Sequence, residues 1–431
     1  MSRFEAIPAP ASSAGLAADR APAAWFDRED TRTSLSLSLI LALGVVCMFD
    51  QGIIGALLTP IKTSLRLSDE QFARIAAVFT VAGMAGAPIF GWLGNRFGRR
   101  RVLFAGIVIW SLASIGSGFA GGIAVLLVWR GLTGFGEASY QSLAPSWLAD
   151  LYRPKWRNVV FSLYMLRNKV GGALAFGIGG WLATRYDWQT AFIVSGVPGL
   201  GLALLLLLVK EPRPGESDGA AEGARPLSFR QGLVVFRHTG YVLHLFALTL
   251  FFIGMTTQMW VPSYLTRTFQ VPNGAASGFL SAVLLYTLPA GLIGGYLSSL
   301  LLRQVRGGFA GFLSGTSLVT AVVFWFAYTS NDLATAKTLV VVAIAVFGFS
   351  AGTLTTLIVE TVPPDLRASA ASFSALLTGG ISGIVGPELI GILSDAYGLR
   401  TALCVGLTGY AAAGIGWAGL AIFQHRRAGV V

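Results

Sequence analysis

Trp129–Asp150 reads WRGLTGFGEASYQSLAPSWLAD, an apolar stretch long enough to cross a bilayer that nevertheless carries Arg130 and Glu137. On a helix of about 3.6 residues per turn, seven positions are nearly two turns, so both side chains share one face roughly 10 Å apart. That face cannot look at lipid. An ionisable residue at membrane depth costs at least about 2.5 kcal/mol on insertion scales, so it turns to a bundle interior or a water-filled path. The stretch therefore reads as one helix of a larger membrane bundle, with two charges of opposite sign inside it.

The rest of the chain agrees. Of 431 residues, 54% are hydrophobic and only 12% charged, too apolar for a soluble chain of this length. The net charge of +11 would suggest nucleic acid in a soluble protein. Here the basic residues sit mostly in loops, where they set topology, and no soluble basic domain exists to bind nucleic acid. Cys47 and Cys404 both fall within apolar segments, so neither a disulfide framework nor a metal-ligand set is indicated. No nucleophile with a nearby base and no nucleotide loop is apparent, which argues against an enzyme and against a cofactor.

From Ser34 onward, apolar runs of about 20 residues, the length that spans some 30 Å of hydrocarbon, repeat with short polar breaks. Twelve are expected, near 36–62, 73–95, 102–121, 123–150, 157–184, 188–209, 239–264, 275–300, 307–329, 334–360, 367–393 and 399–423. The fold class is thus all-α and polytopic. Residues 1–33, rich in Ala, Pro and Ser, read as a disordered tail. Residues 210–238, rich in Gly, Pro and charge, divide a six-helix bundle at 34–209 from another at 239–424, leaving a short tail at 425–431. Within that linker, Leu227 to Arg237 has the apolar spacing of a short amphipathic helix lying on the membrane surface. Arg96, Arg99, Arg100, Arg101, Arg153, Lys155, Arg157, Arg303, Arg306, Arg426 and Arg427 alternate onto the side of the linker, with fewer basic residues opposite. The positive-inside rule then puts both termini and the linker in the cytoplasm of a cell membrane, of the bacterial inner-membrane kind.

Gly91–Leu103, GWLGNRFGRRRVL, joins the second and third spans. Its small residues let helix ends approach, and its arginines can meet helix C-terminal carbonyls. It resembles the signature loop of the major facilitator superfamily, G-x-L-x-D-R-x-G-R-R, matched here by Gly91, Arg96, Gly98, Arg99 and Arg100. Asn95 stands where the family usually has Asp, which weakens the charge–dipole latch attributed to that carboxylate. The resemblance implies two six-helix bundles with a cavity between them that opens alternately to each side.

Three stretches narrow it. MFDQGIIGALLTPIKTSLRLSDEQ (Met48–Gln71), RGLTGFGEASYQSLAPSWLADLY (Arg130–Tyr152) and DWQTAFIVSGVPGLGLALLLLLVKEPRP (Asp187–Pro214) resemble Spinster-like transporters, and WVPSYL (Trp260–Leu265) adds a scattered match in the second half. The Arg…Glu spacing is shared with the anion:cation symporters. The first family implies lysolipids or phosphorylated sphingoid lipids, the second small organic acids. The expectation is a proton-coupled secondary transporter, monomeric, of an anionic amphiphile or a small organic anion. A lipid flippase or a sensor that does not transport is the reading from another class.

Asp50, in the middle of the first span, suits a proton carrier or a hydrogen-bonding brace. In both related families Arg usually follows it; here Gln51 does, which leaves Arg130 as a candidate partner. By resemblance Glu137 is a coupling carboxylate. Arg130 offers a planar, permanent charge suited to a carboxylate or phosphate, or to an ion pair with Asp50 or Glu137. Arg167 is a further substrate-binding candidate. It and Lys169 lie near the cytoplasmic end of their span, where long basic side chains can snorkel. Tyr140, Gln258, Trp260 and Tyr264 could line a cavity or anchor the membrane interface. Glu388, beside Pro387, is an intramembrane carboxylate without an assigned role. His244 reads as a hydrogen-bonded core residue, and the glycines of Gly171–Leu182 as a close-packing surface.

Overall fold

A computed structural model describes residues 28–152, 154–212, 232–302, 307–363 and 366–428. The expected tail before residue 28 and residues 227–231 of the expected amphipathic helix lie outside these. The part of that helix inside them, Leu233–Arg237, is a 3-10 turn whose Phe236 packs on Tyr241 and Phe373.

In the first half, α1 (Arg28–Ala56) and α2 (Leu58–Leu65) make one crossing, followed by α3 (Asp69–Phe97) and α4 (Arg99–Ser117). Then come α5 (Ile123–Leu151), α6 (Pro154–Arg185) and α7 (Trp188–Leu206). In the second half, α8 (Thr239–Met255) and α9 (Val261–Phe269) are joined by the 3-10 turn Thr256–Trp260. The next crossing is α10 (Asn273–Tyr286) with α11 (Ala290–Leu302), bent by 42° at the break between them. It is followed by α12 (Gly308–Thr329), α13 (Leu333–Glu360) and α14 (Arg367–Tyr397), and the last crossing is α15 (Leu399–Gly406) with α16 (Thr408–Ala428).

Among the described residues nine helical spans are long and apolar enough to cross a membrane, ten with the bent pair. The charge-bearing α5 and α6, at 29 and 32 residues, have the length of the others and complete six crossings on each side of the linker. Local chemistry places the boundaries. Ser68 and Gln71 form a reciprocal capping box at the start of α3, with Asp69 and Glu70 in the first turn where the helix dipole favours anions. Gly98 and Gly398, at φ 88° and 85°, turn the chain from α3 into α4 and from α14 into α15, a backbone that a side chain would strain.

Within the first half α3 packs on α5, α1 on α6, and α4 on α5 and α7; within the second, α12 packs on α13 and α16, and α8 on α14 and α16. In lipid there is no hydrophobic drive between helices, so association relies on close packing. A Cβ at Gly136 would meet the backbone of Gly106 and Trp110, and one at Gly171 would meet Val45 and Met48. The halves touch along two seams, α3 with α14 and α6 with α10. Along the first, Gly391 lies on Asp69–Ala73, Gly383 on Thr80 and Gly380 on Met84. About two turns further along α3, the space beside Gly91 is open. The halves therefore meet at the end away from the central linker, the far end, and part at the near end.

Candidate functional site

Five helices of the first half converge on Asp50. Its Oδ2 lies 3.1 Å from Arg130 Nη1, and its Oδ1 accepts hydrogen bonds from Ser195 Oγ at 2.7 Å and from Ser114. The Arg130 guanidinium is held between the rings of Phe79 and Phe192, at 5.1 and 5.4 Å. Asp50 and Arg130 are 0% and 1% exposed, so the pair is sealed from solvent. A buried ion pair of this kind repays its desolvation only when the remaining polar atoms find partners; the two serines on α4 and α7 supply them to the carboxylate. Neither serine stood out in the sequence, because a hydroxyl on an apolar helix usually bonds its own backbone.

Glu137, on the same face of α5 nearly two turns from Arg130, is also completely buried. Among the described residues neither of its carboxyl oxygens makes a hydrogen bond. Its polar surroundings are Asp50, Arg130 and the buried thiol of Cys47. The two carboxylates thus have unlike environments: Asp50 holds the guanidinium and Glu137 does not.

Arg167 turns inward instead of snorkelling. Its guanidinium stacks 4.0 Å over Tyr164 and lies 5.7 Å from the Tyr140 ring, while its Nε and Nη1 are buried without a hydrogen-bond partner. Room for it comes from Gly44 on α1, where a Cβ would fall 2.6 Å from Arg167 Cδ. Lys169, on another face of α6, crosses the seam to Thr287 Oγ1 at 3.2 Å. Beside it a groove of about 290 Å³ runs between α6 and α10, lined by Val170, Ala173, Leu174, Gly177, Ser281 and Leu285.

The aromatic candidates do not line an open cavity in this conformation. Tyr140 is buried and donates to the Ile40 carbonyl at 2.8 Å; Tyr264 is buried and donates to that of Ala327 at 2.8 Å. Trp260 packs edge-on against Phe72 across the two halves, 6.2 Å between centroids, sealing the seam. Gln258, half-buried, bonds the Tyr410 hydroxyl at 2.9 Å. His244 accepts from Trp417 Nε1 at 3.0 Å in the core. Glu388 comes near Arg74 and Glu70 of α3.

At the near end, Asn95 is exposed and Arg96 lies over the rings of Trp92 and Phe97. Arg99 pairs with Asp150 at 2.6 Å, and Glu211 caps α4 by accepting from the backbone of Arg99 and Arg100 at 2.8 and 3.0 Å. Arg100 reaches the carbonyls of Leu207 and Val209 just past α7, at 3.3 and 3.1 Å. Asp150 and Glu211 sit at the ends of two stretches quoted above, but only the fold brings them to this loop.

Two helical halves meeting along paired seams, with a charge cluster buried in one of them, define a polytopic helical membrane protein. The family model of the Major Facilitator Superfamily matches residues 40–387, and the chain belongs to that superfamily. It is 29% identical over 249 residues to protein spinster homolog 3 of Danio rerio, covering 56% of this chain and 50% of that protein. It is 32% identical over 252 residues to protein spinster homolog 1 of Xenopus tropicalis, covering 56% and 47%. The matches thus span about half the length of these relatives. A solved bacterial homologue of the human lysosomal transporter spinster, inward-facing and unoccupied, superposes with TM-score 0.76 at 22% identity over 91% of this chain and 96% of that one. A solved D-xylose–proton symporter does so with TM-score 0.69 at 18% identity over 89% and 97%. These two structures share the fold.

Proposed function

We propose that this chain is a proton-coupled secondary transporter that moves an anionic amphiphile by alternating access, with Glu137 carrying the proton. The observation that carries the reading is the asymmetry of the two carboxylates: Asp50 is paired with Arg130, whereas Glu137 is buried and makes no hydrogen bond among the described residues. An unpaired anion there would be costly, which suits a carboxylate that carries the proton through the transport cycle. Loss of that proton would draw on the Arg130–Asp50 pair and so link protonation to helix packing. Because Arg130 is enclosed by Phe79, Phe192 and Asp50, we assign the first contact with the substrate anion to Arg167, whose free N–H groups and stacked guanidinium suit a phosphate or carboxylate.

The amphiphile reading is favoured over a small organic acid by the groove between α6 and α10, apolar in its lining, with Lys169 at its edge. An acyl chain fits such a groove and a small dicarboxylate does not use it. The orientation, with both termini and the linker cytoplasmic, rests on the distribution of basic loop residues. Reconstitution into proteoliposomes tests the function. Saturable uptake of a lysolipid, driven by an imposed pH gradient and lost in Glu137→Gln, is expected. Uptake of small organic acids alone would replace the substrate, and binding without flux would replace transport by sensing.

A further inference from the structure

The far end of the molecule carries a second copy of the near-end loop. Gly391–Arg400, GILSDAYGLR, aligns with Gly91–Arg100, GWLGNRFGRR, three hundred residues away: Gly, Leu, Gly and Arg recur at positions one, three, eight and ten. The geometry recurs too. Gly98 (φ 88°, ψ 139°) and Gly398 (φ 85°, ψ 153°) make the same turn between helices. As Arg100 reaches the carbonyls just past α7, Arg400 reaches that of Ser330 just past α12 and Asn331 Oδ1 at 3.2 Å. The copies differ at position five, where the near end has Asn95 and the far end Asp395.

Asp395 reaches the opposite half. Its two carboxylate oxygens accept from the backbone N–H groups of Asp69 and Glu70, each at 2.8 Å, so a residue on α14 caps the N-terminus of α3. The Asp69 side chain returns the contact: Arg267 of α9 grips it with two N–H groups at 2.7 and 2.8 Å, and Ser394 donates to it. Asp69 is 2% exposed and is also bonded by Lys62 of its own half. The first turn of α3 is thus held through its backbone by Asp395 and through its side chain by Arg267. An anion facing helix N-terminal N–H groups and a bidentate Arg–carboxylate pair are both strong, directional contacts.

We infer that Asp395 is a positioning residue that latches the far end shut, and that the protein rests with its far end closed because this loop keeps the carboxylate which the near-end loop has replaced by Asn95. The inference rests on the alternating access proposed above. Opening the far end breaks the cap and the Arg267 pair together, while closing the near end gains no corresponding charge from Asn95.

The test is a distance across the far end that is independent of flux. With Cys47 and Cys404 replaced by Ser, spin labels at Ser64→Cys and Ala334→Cys, both exposed, report the separation of the halves by pulsed electron paramagnetic resonance in nanodiscs. The parent should give one dominant short distance with a small longer-distance population. Asp395→Asn keeps the shape and removes the charge; it should raise the far-open fraction by about fivefold or more, whereas Asp395→Glu should restore the parent distribution. Arg267→Gln tests the other arm and should act in the same direction if the first variant fails to fold. A far-end distribution unchanged in both Asp395→Asn and Arg267→Gln overturns the latch. A parent that never opens its far end, with variants that do not either, overturns alternating access itself.

Discussion

Arg130 Nη1 lies 3.1 Å from Asp50 Oδ2, while Glu137, nearly two turns further along the same helix, makes no hydrogen bond among the described residues. One guanidinium faces two buried carboxylates and is committed to one of them. Under the proposed function, loss of a proton from Glu137 would change the charge balance in this pocket and so act on the packing of α1 against α5.

Glu137→Gln keeps the size of the side chain and removes its titration. Accumulation driven by a pH gradient should be abolished while exchange of labelled for unlabelled substrate persists. Counterflow and gradient-driven uptake, measured in the same proteoliposomes, separate the two; unaltered gradient-driven uptake would remove Glu137 from coupling.

Arg130→Ala leaves Asp50 buried with only serine hydroxyls, and should destabilise the protein by about 3–5 kcal/mol. Asp50→Asn combined with Arg130→Ala removes the orphaned charge, so the double variant should melt at a higher temperature than Arg130→Ala alone. Thermal unfolding in detergent reads this directly, and strictly additive losses would mean the pair is not coupled.

Arg167→Ala should weaken substrate binding by more than tenfold, above about 1.4 kcal/mol. Arg167→Lys should recover only part of it, because an ammonium neither stacks on Tyr164 as a plane nor donates bidentately. Binding titrations check the order. Full affinity in Arg167→Ala would move the anion contact elsewhere, with Arg130 the next candidate.

Asn95→Asp restores a carboxylate at the near end, where the arginines of its loop and a helix N-terminus across the closure could receive it. It should shift the population toward near-end closure. Thiol labelling of single cysteines placed at the two ends, with lower reactivity at the near end and higher at the far end, is the expected result; equal reactivity in parent and variant would count against it.

Much of this was readable in the chain itself. Hydropathy fixed the crossings because a span needs about 20 apolar residues wherever it falls in the sequence. The break after α1, at Leu57, stays apolar and leaves no mark in the hydropathy, whereas the bend between α10 and α11 falls at Thr287–Pro289, where the proline is the signal. Asp50, Arg130 and Glu137 stood out as charges in apolar helices, and helical periodicity put the last two on one face.

Partner choice is different in kind. That Arg130 takes Asp50, that Ser114 and Ser195 complete the carboxylate, and that Arg167 reaches Tyr140 instead of snorkelling depend on how α1, α4, α6 and α7 pack around α5. The far-end latch is the extreme case: Asp69 and Asp395 are 326 residues apart, and each reads locally as an ordinary helix-end acid. Periodicity and capping are set by neighbours within a turn or two, so the sequence by itself determines helices, their ends and their polar faces. Which faces meet is decided by close packing over the whole bundle, and only the tertiary structure decides it.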